Sequence, residues 1–306
     1  MKFLIVGDLH GRIPKIHFKE FDAIIVPGDI CSDKGMRKYV GLWKKHIKKT
    51  KEIISSDEYI LKLIGRKKYN QIEKESLLIG RKTLEFLNKF NKPIFFTPGN
   101  WDQSHGTTNI KDSSKSRYNR LKSNLDMYLS KHSNKILTQG LKNVKDCQYK
   151  LHKFGNFNII GYGLCSGPEK PNGNQGLTFK EQTKLKKAYN KILNRLVALH
   201  KRRNRDFTDI FISHNVPYKT KVDIILEKDN PFYKKHFGSS IAAEFCKKNQ
   251  PLVCIGGHMH EHFAKCKLGK TTVINAGFGP KVNTLLEIKN NKIKSIKFWD
   301  GKNEFQ

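Results

Sequence analysis

The chain has 306 residues, enough for one large core or two modest ones, and its 59 lysines and arginines against 27 aspartates and glutamates give a formal net charge of +32. No apolar run approaches membrane-spanning length, and the apolar start at Lys2 to Val6 meets Gly7-Asp8 too soon for a signal-peptide core, so membrane insertion is not expected. Cys31, Cys147, Cys165, Cys246, Cys254 and Cys266 are scattered without a close pair, which argues against a disulfide-stapled scaffold and for a reducing, cytoplasmic compartment.

In chain order, short apolar runs end repeatedly in glycine plus a polar residue. Phe3 to Val6 leads into Gly7-Asp8, Ala23 to Val26 into Pro27-Gly28-Asp29, and Ile94 to Phe96 into Gly99-Asn100. Asp209 to Ile212 leads into Ser213-His214, and Leu252 to Ile255 into Gly256-Gly257-His258. These runs read as buried strands. Residues 34–92 contain no proline and carry apolar residues at helical spacing over the second half, which predicts a helical insertion.

Residues 103–150 are polar and basic and read as a second insertion, a loop followed by a helix around Tyr118 to Leu129. The Gly-rich stretch from Gly161 to Gly176 reads as a connecting loop. Residues 180–205 place Leu185, Tyr189, Ile192, Leu196 and Leu199 on one helical stripe and carry ten lysines and arginines against one glutamate, so one face is buried and the other basic. The tail reads as a hairpin, Asn283 to Ile288 and Ile293 to Trp299. A single domain spanning 1–306 with the two insertions follows.

The strand ends matter because functional groups in open α/β sheets collect beyond the carboxyl ends of strands. Here those ends offer Asp8, His10, Asp29, Asn100, His214, His258 and His260. Carboxylates mixed with imidazoles and one amide oxygen suit borderline divalent cations better than calcium or magnesium. Asp29 has two oxygens with which to bridge two such ions.

Gly7-Asp8-Leu9-His10, Gly28-Asp29, Gly99-Asn100, His214 and Gly257-His258-Met259-His260 resemble, in order, the motifs of the calcineurin-like metallophosphoesterases. Each motif is short, but the ordered set spans nearly the whole chain. The resemblance implies an α/β fold of two facing mixed sheets flanked by helices, a four-layer sandwich. It implies one cation held by Asp8, His10, Asp29 and His260 and another by Asp29, Asn100, His214 and His258, with all seven residues catalytic through the metals. Manganese is the first expectation, with iron, nickel or zinc as alternatives. The implied reaction is attack of a hydroxide bridging the two metals on a phosphate ester.

Ser213 to Asp223, with His236-Phe237-Gly238-Ser239-Ser240 and Gly256 to Glu261, resemble a largely archaeal branch related to cyclic-nucleotide phosphodiesterases. A phosphodiester, nucleotide-like substrate is therefore the leading expectation. One departure stands out: many family members carry a histidine after the Gly-Asn pair, whereas this chain has Trp101, whose indole cannot donate a catalytic proton. Trp101, His105 and Lys219 are the candidate substrate contacts, with packing as the competing role for Trp101 and plain solvent exposure for His105 and Lys219. Asp102 is expected to cap or orient its loop.

The basic charge admits nucleic acid as a partner, and a nuclease using the basic faces at Lys111 to Lys122 and Lys180 to Arg205 is the alternative reading. The bland explanation of that charge is solvated surface. A third reading is a scaffold that keeps the metal site without turnover. Oligomeric state is not legible.

Overall fold

Strands that are apolar at every position need cover on both sides, and that requirement organises this chain. The computed structural model describes residues 1–50, 52, 54–102, 118, 122, 125, 135–169, 176–228, 230 and 232–306. The first sheet contains β1 (Lys2–Ile5), β2 (Ala23–Val26), β3 (Ile94–Phe96), β4 (Val144–Asp146), β11 (Asn283–Lys289), β12 (Lys292–Trp299) and β13 (Glu304–Phe305), in the order β13-β12-β11-β1-β2-β3-β4. The second contains β5 (Leu151–Phe154), β6 (Phe157–Tyr162), β7 (Thr208–Asn215), β8 (Val253–Gly257), β9 (Ala264–Leu268) and β10 (Thr271–Asn275), in the order β5-β6-β7-β8-β10-β9.

Both sheets are mixed. Strands β1 to β4 pair in parallel and β11 joins β1 antiparallel, while β6, β7, β8 and β10 pair in parallel between antiparallel edges β5 and β9. Alternation along each strand then sends neighbours to opposite faces. Phe3, Ile5, Ile25 and Phe95 meet Ile159, Ile210, Ile212 and Ile255 between the sheets. On the outer face of the first sheet, Leu4, Val6, Ile24 and Phe96 pack with Leu77, Leu84 and Leu87 of α2 (Ser56–Asn88).

On the outer face of the second sheet, Ile160, Phe211 and Val273 pack under α4 (Phe179–Lys201) and α5 (Ser240–Asn249). The result is helix, sheet, sheet, helix. Helix α1 (Arg37–Thr50) precedes α2, which is broken at Gly65 by a left-handed φ of 75°, and α3 (Lys135–Thr138) leads into β4.

The five strand cores read from the sequence are present as β1, β2, β3, β7 and β8, and the terminal hairpin closes through Asn290 and Asn291 at φ 51° and 57°, as a tight two-residue turn demands. Helix α4 begins at a capping box, Thr178 with Glu181, just before the basic stretch. Two details differ from expectation. Residues 144–146, placed inside the basic insertion, form β4 and pair with β3; Gly161 and Tyr162, placed in a loop, close β6. The helix expected around Tyr118 to Leu129 lies, apart from residues 118, 122 and 125, outside the described residues.

Candidate metal centre

Parallel pairing puts the carboxyl ends of β1, β2 and β3 on one rim of the first sheet and those of β7 and β8 on one rim of the second. The two rims meet, and all seven ligand candidates lie there. Asp8, His10 and His260 form one group and Asp29, His214 and His258 another, each with its ligand atoms within 4.8 Å of one another. Oδ2 of Asp29 faces both groups, 3.8 Å from His10 Nε2 and 3.5 Å from His214 Nε2. Asn100 Oδ1 stands 2.8 Å from both His214 Nε2 and His258 Nδ1.

The backbone is bent to achieve this. Asp8, His10, Asp29 and His258 all adopt left-handed φ values between 47° and 68°, a conformation that costs of order 1–3 kcal/mol for a residue with a side chain and collects at functional sites. The motif glycines answer a second demand, close approach. A Cβ on Gly99 would stand 2.1 Å from Asp29 Oδ1, and one on Gly257 would stand 2.4 Å from Asp8 Oδ2.

Cross-bonds lock the loops together. The His258 amide donates to Asp8 Oδ2 at 2.7 Å, the His10 amide to the Asp29 carbonyl at 2.7 Å, and the Trp101 amide to Asp29 Oδ1 at 2.8 Å. The buried carboxylate of Asp102 accepts from the Ile30 and Cys31 amides at 2.9 Å and from the Gly99 amide at 2.8 Å. It thus joins the loop after β2 to the loop after β3, the orienting role expected of it.

Burial lifts the Asp8 and Asp29 carboxyls well above the ordinary carboxylate range, and the charge of Asp102 adds to both. Burial also holds the imidazoles neutral: His10 is pushed down to about 2, His214 and His260 to about 4, and His258 well below its usual value. His214 Nδ1 donates to the Pro27 carbonyl at 2.9 Å, which leaves its Nε2 lone pair facing the Asn100 oxygen. His10 Nε2 likewise faces His260 Nε2 at 3.1 Å. Asp8 Oδ1 is buried with no hydrogen-bond partner among the described residues.

Acceptors aimed at acceptors, most of them buried, are what divalent cations would reconcile. The donor set therefore fits two metal ions. Nitrogen and oxygen donors without thiolate suit manganese, iron, nickel or zinc alike.

Of the expected substrate contacts, Trp101 is half-buried and packs with Met36, Tyr39, Ile60 and Tyr69 of the α1–α2 region, its ring edge-on to His10 with 6.0 Å between centroids. Packing is the role this geometry supports. Lys219 is exposed and lies over the Tyr218 ring at 5.9 Å. His105 lies outside the described residues.

Three further residues escaped the sequence reading. Asp33 is fully buried, with Oδ2 3.7 Å from His10 Nδ1, and it is gripped by Arg12 and Arg37. Asp33 follows Gly28-Asp29 within the same loop and Arg12 follows His10 by two residues, so proximity to the motifs was the available signal.

A sequence profile of the calcineurin-like phosphoesterases matches residues 1–262, and the chain belongs to that family. It is similar to the uncharacterized protein MJ1162 of Methanocaldococcus jannaschii, 25% identical over 300 residues that cover 96% of this chain and 94% of the relative. A solved crystal structure matches the fold with a TM-score of 0.56 at 17% identity, covering 98% of this chain and 99% of the other. A dimetal phosphatase from Danio rerio matches at a TM-score of 0.47 and 10% identity, over 99% and 97% of the two chains. None of the described helices is long and apolar enough to cross a membrane.

Proposed function

We propose that this protein is a dimetal-dependent phosphoester hydrolase with a preference for phosphodiesters. The observation that carries the reading is Asp29 Oδ2, set between the two ligand groups at 3.8 Å from His10 Nε2 and 3.5 Å from His214 Nε2. Asp8, His10, Asp29 and His260 would hold one ion, and Asp29, Asn100, His214 and His258 the other. When bound, the ions supply Lewis-acid activation of water and neutralise charge on the phosphoryl oxygens.

The chain's own residues do the positioning. The Pro27 carbonyl fixes the His214 tautomer, the His258 amide orients Asp8, and the Trp101 amide holds the outer oxygen of Asp29. Such supporting hydrogen bonds keep ligands aimed and basic. None of the seven residues is a serine, threonine or cysteine, and the reading requires no covalent enzyme intermediate.

The preference for diesters rests on the resemblance of Ser213 to Asp223 and Gly256 to Glu261 to a branch related to cyclic-nucleotide phosphodiesterases, and Trp101 narrows the leaving groups. An indole at that position supplies no proton to a departing alkoxide, which disfavours alkyl monoesters and leaves esters with good leaving groups, among them aryl diesters, as workable substrates. Turnover of bis-p-nitrophenyl phosphate and p-nitrophenyl phosphate by protein reconstituted with manganese, iron, nickel or zinc tests this. Faster diester cleavage supports the reading; strong turnover of the monoester alone would make the protein a phosphomonoesterase.

A further inference from the structure

The buried carboxylate of Asp33 is held by two guanidinium groups from different elements. Arg37, at the start of α1, reaches Oδ2 with Nε at 2.6 Å and also with Nη2. Arg12, from the loop after β1, reaches Oδ1 with Nη1 at 3.2 Å, and the same Nη1 donates to the His10 carbonyl at 3.0 Å. One arginine would neutralise one carboxylate; two leave a positive charge over.

That charge is presented outward beside the metal centre. The side chains of Arg37 and Arg12 remain 60% and 42% exposed, while Asp33 is at 0%. The Arg12 guanidinium lies 5.4 Å from the centroid of Phe278, whose ring stands 5.3 Å from His260 and 6.2 Å from His10. Each arginine therefore has one edge fixed by Asp33 and the remaining donors free for an anion. Arg37 Nη1 and Arg12 Nη2 make no hydrogen bond among the described residues.

A purely structural ion pair explains neither the second arginine nor its stacking on a ring of the centre. Trp101 supplies no cation to a bound phosphate, whereas the Arg12 guanidinium, bonded to the His10 carbonyl, stands beside the centre with charge to offer. Planar guanidinium forks are suited to phosphate oxygens, and pre-orientation by a buried carboxylate lowers the entropy lost on binding.

We propose that Arg12 and Arg37, pre-aimed by Asp33, form an anion clamp that binds the non-bridging oxygens of the substrate phosphate and sets affinity for it. The inference rests on the phosphoester-hydrolase reading above.

The test uses the full chain reconstituted with manganese and follows three readouts: calorimetric binding of inorganic phosphate, KM and kcat for bis-p-nitrophenyl phosphate, and metal content. Arg37→Gln and Arg12→Gln each leave Asp33 one arginine, so the fold retains a counter-ion for it. Each should weaken phosphate binding and raise KM by about tenfold or more, as loss of a charge-assisted hydrogen bond does, with metal content unchanged. Arg37→Lys should restore part of the affinity. Unchanged phosphate affinity and KM in both variants would overturn the clamp while leaving the hydrolase reading standing. So would a loss traced wholly to metal content, which would make Asp33 and its arginines a brace for His10. Wild-type protein that holds metal yet neither binds phosphate nor cleaves any phosphoester would overturn both.

Discussion

The Trp101 amide donates to Oδ1 of Asp29 at 2.8 Å, so the residue that departs from the family pattern is tied by its backbone to the carboxylate between the two ligand groups. The side chain can therefore be exchanged without cutting that bond. Trp101→His should keep metal content and raise the turnover of phenyl phosphate, a monoester with a poor leaving group, by roughly tenfold or more, since general-acid catalysis contributes on that scale or above. Equal monoester rates for both proteins would show that leaving-group protonation does not limit this enzyme.

Asp102 satisfies the amides of Gly99, Ile30 and Cys31 from a fully buried position. Asp102→Ala would strand three buried donors, each costing about 1–3 kcal/mol. Denaturant unfolding of the metal-free proteins should show a loss of at least about 3 kcal/mol. Asp102→Asn, which keeps one acceptor oxygen, should lose less. A loss below about 1 kcal/mol for the alanine variant would mean that solvent reaches these amides.

The glycines of the Gly99-Asn100 and Gly257-His258 pairs hold space. Gly99→Ala would put a methyl group 2.1 Å from Asp29 Oδ1, and Gly257→Ala one 2.4 Å from Asp8 Oδ2. The clashes fall at the sheet rim, in the loop after β3 and at the last residue of β8, and metal affinity should drop by about tenfold or more, the scale seen when a ligand's supporting contacts are removed. Equilibrium dialysis against manganese reads this directly; wild-type affinity in either variant would show that the loops can yield.

Burial lifts the Glu73 carboxyl from 4.5 to about 8, with the charge of Asp57 adding to the shift, on α2, the helix whose Ile60 and Tyr69 pack with Trp101. The unfolded chain ionises at the ordinary value while the folded chain keeps its proton. Stability from this group is thus complete below pH 4.5 and is lost as the pH rises to about 8. Glu73→Gln should be nearly neutral at pH 4.5 and stabilising at pH 8 by up to about 4 kcal/mol. Equal effects at the two pH values would place the charge of Glu73 in solvent.

The centre was more legible than its support because ligands follow strand ends and strand ends are marked by glycine. Ile25-Val26-Pro27-Gly28-Asp29 announces an apolar strand, a tight exit and a carboxylate in five letters. Asp33 and Arg37 lack such a mark, since an aspartate near a helix start reads equally well as a cap. Strand β4 was hidden because Val144-Lys145-Asp146 is a short polar edge strand, whose pattern differs little from a loop. Strand β9 hides for the same reason, alternating Ala264, Cys266 and Leu268 with lysines.

Titration of metal-free protein with manganese, reading bis-p-nitrophenyl phosphate hydrolysis for the wild type and for Asp29→Asn, tests the central claim most directly. The account predicts that wild-type activity is absent without metal and appears in step with two ions bound per chain. Asp29→Asn, in which the shared carboxylate loses its charge, should remain at least about a hundredfold less active at every manganese concentration. Hydrolysis that persists in metal-free protein, or that survives intact in Asp29→Asn, would contradict it.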